Sequence, residues 1–373
     1  MKNILFDIRT AQTYHGRGVF RYCWDLVIHL AKHQTEKQKI FLLTDKRISK
    51  IDEKKCQKVN LAVIDLEDFD KKTQGITFDD WIIGTFVYFW LPQKWETITY
   101  TYPQNVLKKC NRIVGIIHDL IPVFYQEECL QTYERKINFA LQFETLKLVD
   151  HYLCNSQYTM QVAQNLLKKP LSDFTCIYGS TDLKKWHNKN SDLPYNASDR
   201  KNNIVYVGGN IPRKNSMGLI RAFGTALKSE KIPNDAKLCL LSTDRTPEMD
   251  LYLKENNLID CVVFPGFISD NEMLNLVATA RSSFFPSYYE GLGLPILESY
   301  AAGTPCFVAN TTSTQEFARI QDSFNPENPN EISDFIINVF NNEEMCRDNL
   351  EFGRQILKKL TWDKIAEQII ALL

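Results

Sequence analysis

Residues Ser282–Asn310 read SSFFPSYYEGLGLPILESYAAGTPCFVAN. The pattern is strand, loop, helix, turn, strand. Ser283–Phe285, closed by Pro286, suits a short buried parallel strand. Tyr288–Gly293 is a loop holding two glycines, Gly291 and Gly293. Pro295 fits the first position of a helix, where a missing N–H costs nothing. That helix is expected to run to about Ala302, with Gly303 just past its end. Pro305–Ala309 restarts a strand. The backbone N–H groups of Gly291, Leu292, Gly293 and Leu294 therefore point out of a helix N-terminus, where the dipole favours an anion such as a phosphate. Glu290 in the loop and Glu298 in the helix flank that point. Two carboxylates are unfavourable beside phosphate alone, but they suit a ligand that carries hydroxyls next to its phosphates, as a nucleotide sugar does. Glu298 would accept from a ribose and Glu290 from the sugar. The competing reading is two ordinary helix-start carboxylates stabilised by the dipole.

The flanking residues weigh against that competing reading. The run Tyr-Glu-Gly-x-Gly-Leu-Pro-x-Leu-Glu from Tyr289 to Glu298, followed by Ala301-x-Gly303-Thr304-Pro305, resembles the donor-site motif of the family-4 retaining glycosyltransferases. In that family two such glutamates flank the nucleotide sugar.

Outward from this stretch, strands and helices alternate. Asn3–Ile8 is an apolar run, followed by the glycine loop Tyr14–Gly18 and a helical periodicity over Val19–Lys32. Lys39–Thr44 and Val59–Leu66 read as strands. Asp79–Pro92 reads as one long strand or two short ones. Arg112–His118 is a buried strand, Glu127–Leu148 a long helix, His151–Asn155 a strand, and Ser156 caps the next helix. Phe174–Tyr178 is a strand. The polar stretch Gly179–Arg200 reads as a domain boundary. A second alternating series then begins at Asn203–Val207 and runs through Lys237–Leu241 and Cys261–Phe264 to the central motif. Two alternating series predict two doubly wound α/β domains. Leu360–Leu373 is an amphipathic final helix.

Three further clusters carry chemistry. Arg213 and Lys214 follow the first strand of the second series, where cations can face a diphosphate. The Tyr-Val-Gly…Pro-Arg-Lys-Asn context resembles the same family, whose lysine at the Lys214 position contacts donor phosphate. Many members carry an arginine directly after the glycine of this loop; Asn210 stands in that region here, with Arg213 as the substitute. His118-Asp119-Leu120-Ile121-Pro122 resembles the His-Asp-Leu-x-Pro segment of one branch of the family, which places His118 near the transferred sugar. Gly16, in the first glycine loop, joins the donor-binding set by the same resemblance, although Phe20 stands where a glycine is common. Asp68-Phe69-Asp70 spells a metal-binding Asp-x-Asp, but it lies in a charged stretch, Asp65–Lys72, that reads as a solvated loop. Neither zinc-ligand spacing nor a phosphate-binding Gly-x-x-x-x-Gly-Lys loop is visible.

Composition is that of an ordinary globular protein, with 44% apolar and 24% charged residues in 373. No secretory signal is read at Met1-Lys2-Asn3, and the most apolar window, Trp81–Pro92, is too short to span a bilayer. Ten cysteines without a Cys-x-x-Cys pair suggest reduced thiols in the cytoplasm. Residues 1–185 hold 26 Lys/Arg against 21 Asp/Glu, and the remainder 18 against 24. A basic first half suits an anionic surface, although a chance imbalance on solvated faces serves equally well. No basic stripe points to nucleic acid.

The resemblance implies the GT-B fold, two Rossmann-like doubly wound domains facing across a cleft. An acceptor-side domain would occupy 1–185 and a donor domain 200–355, with helix 360–373 returning to the first. The implied enzyme is a retaining, metal-independent hexosyltransferase. It would move mannose or a related sugar from a GDP- or UDP-linked donor to a polysaccharide, glycolipid or other glycan, with no cofactor. Glu290, His118 and Lys214 are the expected catalytic set. Gly16, Arg213, Lys214, Gly291–Leu294 and Glu298 would bind the donor. Salt-sensitive contact with the anionic inner face of a membrane is also expected. The alternative is a catalytically silent nucleotide-sugar-binding partner of another transferase.

Overall fold

The structure, a computed structural model, describes residues 1–13, 18–85, 102–266 and 268–373. The chain forms two compact units, Met1–Gly179 with Leu360–Leu373, and Ser180–Lys359.

The first unit is built on strands β1 (Lys2–Asp7), β2 (Gln38–Thr44), β3 (Ala62–Asp65), β4 (Phe78–Ile83), β5 (Cys110–Ile117), β6 (His151–Cys154) and β7 (Phe174–Cys176). Their order is β3-β2-β1-β4-β5-β6-β7, and every pairing is parallel. The sequence reason is the near-continuous apolar character of the central strands: Ile4, Leu5 and Phe6 have no exposed surface, as a sheet covered on both faces requires. Helix α1 (Gly18–Lys32) follows β1 and buries Tyr22, Cys23, Leu26, Val27 and Leu30. Helix α2 is Tyr133–Leu146 and α3 is Gln157–Leu167, the latter capped by Ser156.

In the second unit the strands are β8 (Lys201–Val207), β9 (Lys237–Leu241), β10 (Val262–Val263), β11 (Ala280–Phe285), β12 (Cys306–Ala309) and β13 (Ser323–Phe324). The order is β10-β9-β8-β11-β12-β13, again all parallel. Its helices are α4 (Ser216–Lys228), α5 (Pro247–Glu255), α6 (Asp270–Thr279), α7 (Leu294–Ala301), α8 (Pro329–Asn341) and α9 (Glu343–Lys359). The final helix, α10 (Trp362–Leu372), belongs to the first unit and packs on α1. Trp362 meets the Tyr22 ring edge-on at 5.1 Å, and Asp363 accepts from His29 Nδ1 at 2.7 Å and His33 Nε2 at 3.0 Å. Burying Trp362, Ile365 and Ile369 contributes about 1.5–3 kcal/mol per large side chain. In each unit the sheet order reverses once, between β1 and β4 and between β8 and β11, and the ends of strands at such a reversal are where open α/β sheets bind ligands.

Several expectations change. The expected long helix Glu127–Leu148 is a short turn, Gln126–Cys129, followed by α2; Thr132 accepts from the Arg135 N–H and starts the helix afresh. Asp65–Lys72 is not a solvated loop. It forms two short helical turns around Phe69, which is fully buried. Of Asp79–Pro92, the strand covers Phe78–Ile83, and residues 86–92 lie outside the described residues. The two units divide between Gly179 and Ser180, at the start of the polar stretch 179–200, and the rest of that stretch is packed into the second unit. Trp186 and Tyr195 are 2% and 1% exposed, Ser191 Oγ donates to Ala301 O at 2.7 Å and Asn188 Nδ2 to Ala302 O at 2.9 Å. Among the described residues, no helix is long and apolar enough to cross a membrane.

Candidate functional site

The reversal point of the second sheet gathers the residues singled out in its sequence. After β8 the chain turns at Gly208, where an added Cβ would lie 1.9 Å from the Tyr206 hydroxyl oxygen. Only glycine allows that approach. Tyr206 Oη sits 3.2 Å from Gly209 O and 3.3 Å from Lys214 O, its single proton shared between them. The loop is thereby folded back over the end of its own strand, and it delivers Arg213 and Lys214.

After β11 the chain enters Pro286–Gly293. Tyr288 N–H donates to Arg213 O at 2.7 Å, and Arg213 Nη1 donates to Tyr289 O at 2.8 Å. The two loops are tied together by backbone bonds as well as by charge. Glu290 is 7% exposed. Its Oε1 lies 2.9 Å from Lys214 Nζ, and its Oε2 lies 3.5 Å from Arg213 Nη1. Burial pushes the Glu290 carboxyl up, but Lys214, Arg213 and the Ser287 hydroxyl outweigh burial and hold it below the usual carboxylate value. Glu290 Oε1 and the Ser287 hydroxyl are both shut off from solvent, and Ser287 has no exposed surface. Lys214 Nζ also stands over the Phe285 ring at 5.4 Å.

Helix α7 begins at Leu294, one residue before the expected start at Pro295. Gly293 precedes it at φ +92°, a left-handed conformation that other residues adopt only with strain. Among the described residues, the backbone N–H groups of Leu292, Gly293 and Leu294 donate to no other protein group, leaving them available to an anion at the helix start. Glu298, 7% exposed, lies on the second half of this buried helix. The structure therefore brings Arg213, Lys214, Glu290 and Gly291–Leu294 to one point. It differs from the sequence expectation in one respect: the two cations assigned to phosphate are already engaged by Glu290.

His118 lies in the first unit, just beyond the end of β5. Its Nε2 is 2.9 Å from Gly84 O, and because a carbonyl only accepts, that nitrogen carries the proton. Cys23 Sγ lies 3.7 Å from the same nitrogen, and the Tyr22 ring stands edge-on at 4.8 Å. Burial lowers the imidazole from its ordinary 6.5 to about 4, against the opposing effect of the Gly84 bond. His118 is therefore neutral near pH 7. Gly16 lies outside the described residues. Asp70 Oδ2 accepts from Asn105 Nδ2 at 3.2 Å, and no group of His, Cys, Asp or Glu among the described residues has a metal-binding arrangement.

Sequence reading passed over Thr311–Ser313. Thr311 Oγ1 donates to Ser287 O at 2.9 Å, Thr312 Oγ1 accepts from Glu290 N–H at 3.0 Å, and Ser313 Oγ donates to Glu290 O at 2.9 Å. The available signal was a run of four hydroxyl residues, Thr311–Thr314, one residue after the strand that ends the central motif.

Residues 189–356 match the family described as glycosyl transferases group 1. The O-antigen chain mannosyltransferase B of Escherichia coli is 28% identical over 175 residues, 44% of each chain. The chain spans about half the length of the curated relatives it matches. Among solved structures, a sucrose-phosphate synthase from Thermosynechococcus elongatus superposes with a TM-score of 0.72 at 17% identity, covering 100% of this chain and 98% of that one. Anabaena HepE in complex with UDP-glucose gives 0.68 at 15% identity, covering 100% of both. The fold is thus of the GT-B glycosyltransferase type, two parallel-sheet α/β domains, with no closed barrel among the described residues.

Proposed function

We propose that the protein is a retaining glycosyltransferase that moves a hexose, mannose or a close relative, from a nucleoside diphosphate sugar to a glycan or glycolipid acceptor. The observation that carries this reading is the buried Glu290 held by Lys214 and Arg213, beside the open N–H groups at the start of α7. Two cations and a helix N-terminus suit a diphosphate, and carboxylates beside them suit hydroxyls. The family match over residues 189–356 and relatives named as mannosyltransferases support the same reading. A solved structural neighbour in complex with UDP-glucose supports a nucleotide sugar as donor.

In this reading the diphosphate leaves as negative charge develops on its bridging oxygen. Lys214, Arg213 and the N–H groups of Leu292–Leu294 offset that charge in place of a metal. Glu290 orients the transferred sugar, and Glu298 holds the ribose. His118, at the end of β5, is assigned to the transferred sugar by the family resemblance alone; being neutral, it neither gains nor loses a proton near pH 7. The relatives named for O-antigen chains favour a polysaccharide or other glycan as acceptor.

The test is a thermal-shift screen against GDP- and UDP-linked sugars, followed by transfer and donor-hydrolysis assays with the stabilising donor. One nucleotide sugar should raise the melting temperature by mass action and be turned over. If no nucleotide sugar shifts the melting temperature, the reading fails. Binding without transfer or hydrolysis would mark a silent binding partner instead.

A further inference from the structure

Glu290 is anchored from behind, by the segment that follows the neighbouring strand. Thr312 Oγ1 accepts from the Glu290 N–H at 3.0 Å, and Ser313 Oγ donates to the Glu290 carbonyl at 2.9 Å. Both backbone polar groups of Glu290 are therefore fixed by the hydroxyls of adjacent residues. Thr311 adds a third bond, to Ser287 O at 2.9 Å, and Thr314 Oγ1 returns to Ala309 O at 2.7 Å, which holds the run against the end of β12. Thr312 makes its contact from φ +45°. A β-branched residue is rarely found there, because its Cβ crowds the backbone. Glycine would take the same backbone without strain but has no hydroxyl. Strained conformations persist where surrounding bonds over-determine them, and such places cluster at functional sites.

We infer that Thr312 is a positioning residue for Glu290: it fixes the backbone from which the carboxylate reaches Lys214 and the transferred sugar. The inference rests on the proposed function, because it assigns Thr312 a role in the transfer step rather than in folding alone. Thr312 touches no substrate in this scheme. Its hydroxyl acts through the Glu290 N–H, so losing it should misplace the carboxylate while leaving the phosphate-binding cations and helix start in place. The chemistry then suffers more than donor binding, because small displacements of a group that acts in the transition state are costly.

The experiment compares Thr312→Val, which keeps the branched shape and loses the hydroxyl, with Thr312→Ser, which keeps the hydroxyl. Steady-state kinetics and amide exchange at Glu290 are measured on both. Thr312→Val should lower kcat about tenfold with donor KM within about twofold, and the Glu290 amide should exchange faster. Thr312→Ser should return kcat to within about threefold of the parent and restore amide protection. The inference is overturned if Thr312→Val keeps the parent kcat despite faster exchange, if Thr312→Ser fails to rescue, or if the loss falls on KM alone. A parent protein that turns over no nucleotide sugar overturns the proposed function itself. The exchange data would still show whether Thr312 holds Glu290, so the two failures are told apart.

Discussion

Lys214 Nζ stands 2.9 Å from Glu290 Oε1, with the two side chains 15% and 9% exposed. A lysine suited to a phosphate therefore already neutralises a buried carboxylate. In the proposed reaction, donor binding at this point would be an exchange of partners, with the diphosphate sharing Lys214 and Arg213 with Glu290. The exchange is balanced, because the freed carboxylate can accept from a sugar hydroxyl as the cations turn to phosphate. Such coupling would link the readiness of Glu290 to the presence of donor.

Lys214→Ala should cost stability even without donor. Removing one partner from a buried ion pair leaves a charge uncompensated. Arg213 remains 3.5 Å from Glu290 Oε2, so the expected loss is about 1.5–3 kcal/mol rather than the larger cost of a fully abandoned charge. Urea unfolding measures it. In a Glu290→Ala background the same change should cost at least about 1 kcal/mol less, since residues in contact are not additive. Additive losses would mean that the pair contributes nothing. Donor affinity should also fall, by about 1.5–3 kcal/mol for a charge-assisted bond, and an unchanged affinity would confine Lys214 to supporting Glu290.

The neutral state of His118 has a consequence at acid pH. Its folded pKa, about 4, lies below the ordinary 6.5 because of burial. As pH falls through 6.5 the unfolded chain takes up a proton that the folded chain refuses until about pH 4. Stability is therefore complete above pH 6.5 and declines between 6.5 and 4, by about 3 kcal/mol over the whole window. His151, lowered by burial and then by Arg112, acts in the same direction. His118→Gln should flatten this decline without abolishing it. Unfolding free energies for parent and variant, taken from pH 7 to pH 4, decide the matter; parallel curves would contradict a neutral His118.

Two glycines near the site should differ in their tolerance of alanine. Gly208→Ala places a Cβ 1.9 Å from the hydroxyl of Tyr206, a buried side chain that must shift and give up its hold on Gly209 and Lys214. Overpacking of that kind costs about 1–3 kcal/mol, and the lost hydrogen bond adds to it. Gly293→Ala meets only the end of the Ile296 side chain, at 2.9 Å, but must hold φ +92°, worth about 1–2 kcal/mol. Gly208→Ala should thus lower the melting temperature more and weaken donor binding through a loosened Lys214 loop. The reverse order would show that the Tyr206 contact gives way easily.

The strand–helix alternation and the central motif were legible because their signals are local: apolar runs, a proline at a helix start and glycines at its ends. Other features required long-range information. Phe69 is a single aromatic among charges, and nothing local announces that Asp65–Lys72 folds around it. Trp186 and Tyr195 are likewise isolated in a polar stretch, so 179–200 reads as a linker although it is packed on α7. Arg213, Lys214 and Glu290 were each visible, but their pairing arises from β8 and β11 lying side by side, and sheet order is not written in either loop. Thr312 escaped notice because its role depends on a positive φ that a threonine does not advertise.

The two glutamates should separate kinetically. Glu298 is on α7, buried in a rigid element, and suits the ribose, which does not change during the reaction. Glu290 lies in the loop, paired with the cations that would hold the leaving phosphate, and suits the sugar on which positive charge develops. Contacts that strengthen in the transition state raise turnover, whereas uniform contacts affect only binding. Glu290→Gln should therefore lower kcat by at least about tenfold with a smaller change in donor KM. It should also leave Lys214 and Arg213 without their carboxylate, so the nucleoside diphosphate product should bind as tightly as to the parent protein, or more tightly. Glu298→Gln should mainly raise donor KM. Steady-state kinetics, product calorimetry and melting temperatures on both variants distinguish the roles. If Glu298→Gln loses turnover while Glu290→Gln loses only affinity, the roles are reversed. If neither variant changes the kinetics, the donor lies elsewhere, and the buried Glu290–Lys214 pair is a structural staple between two loops.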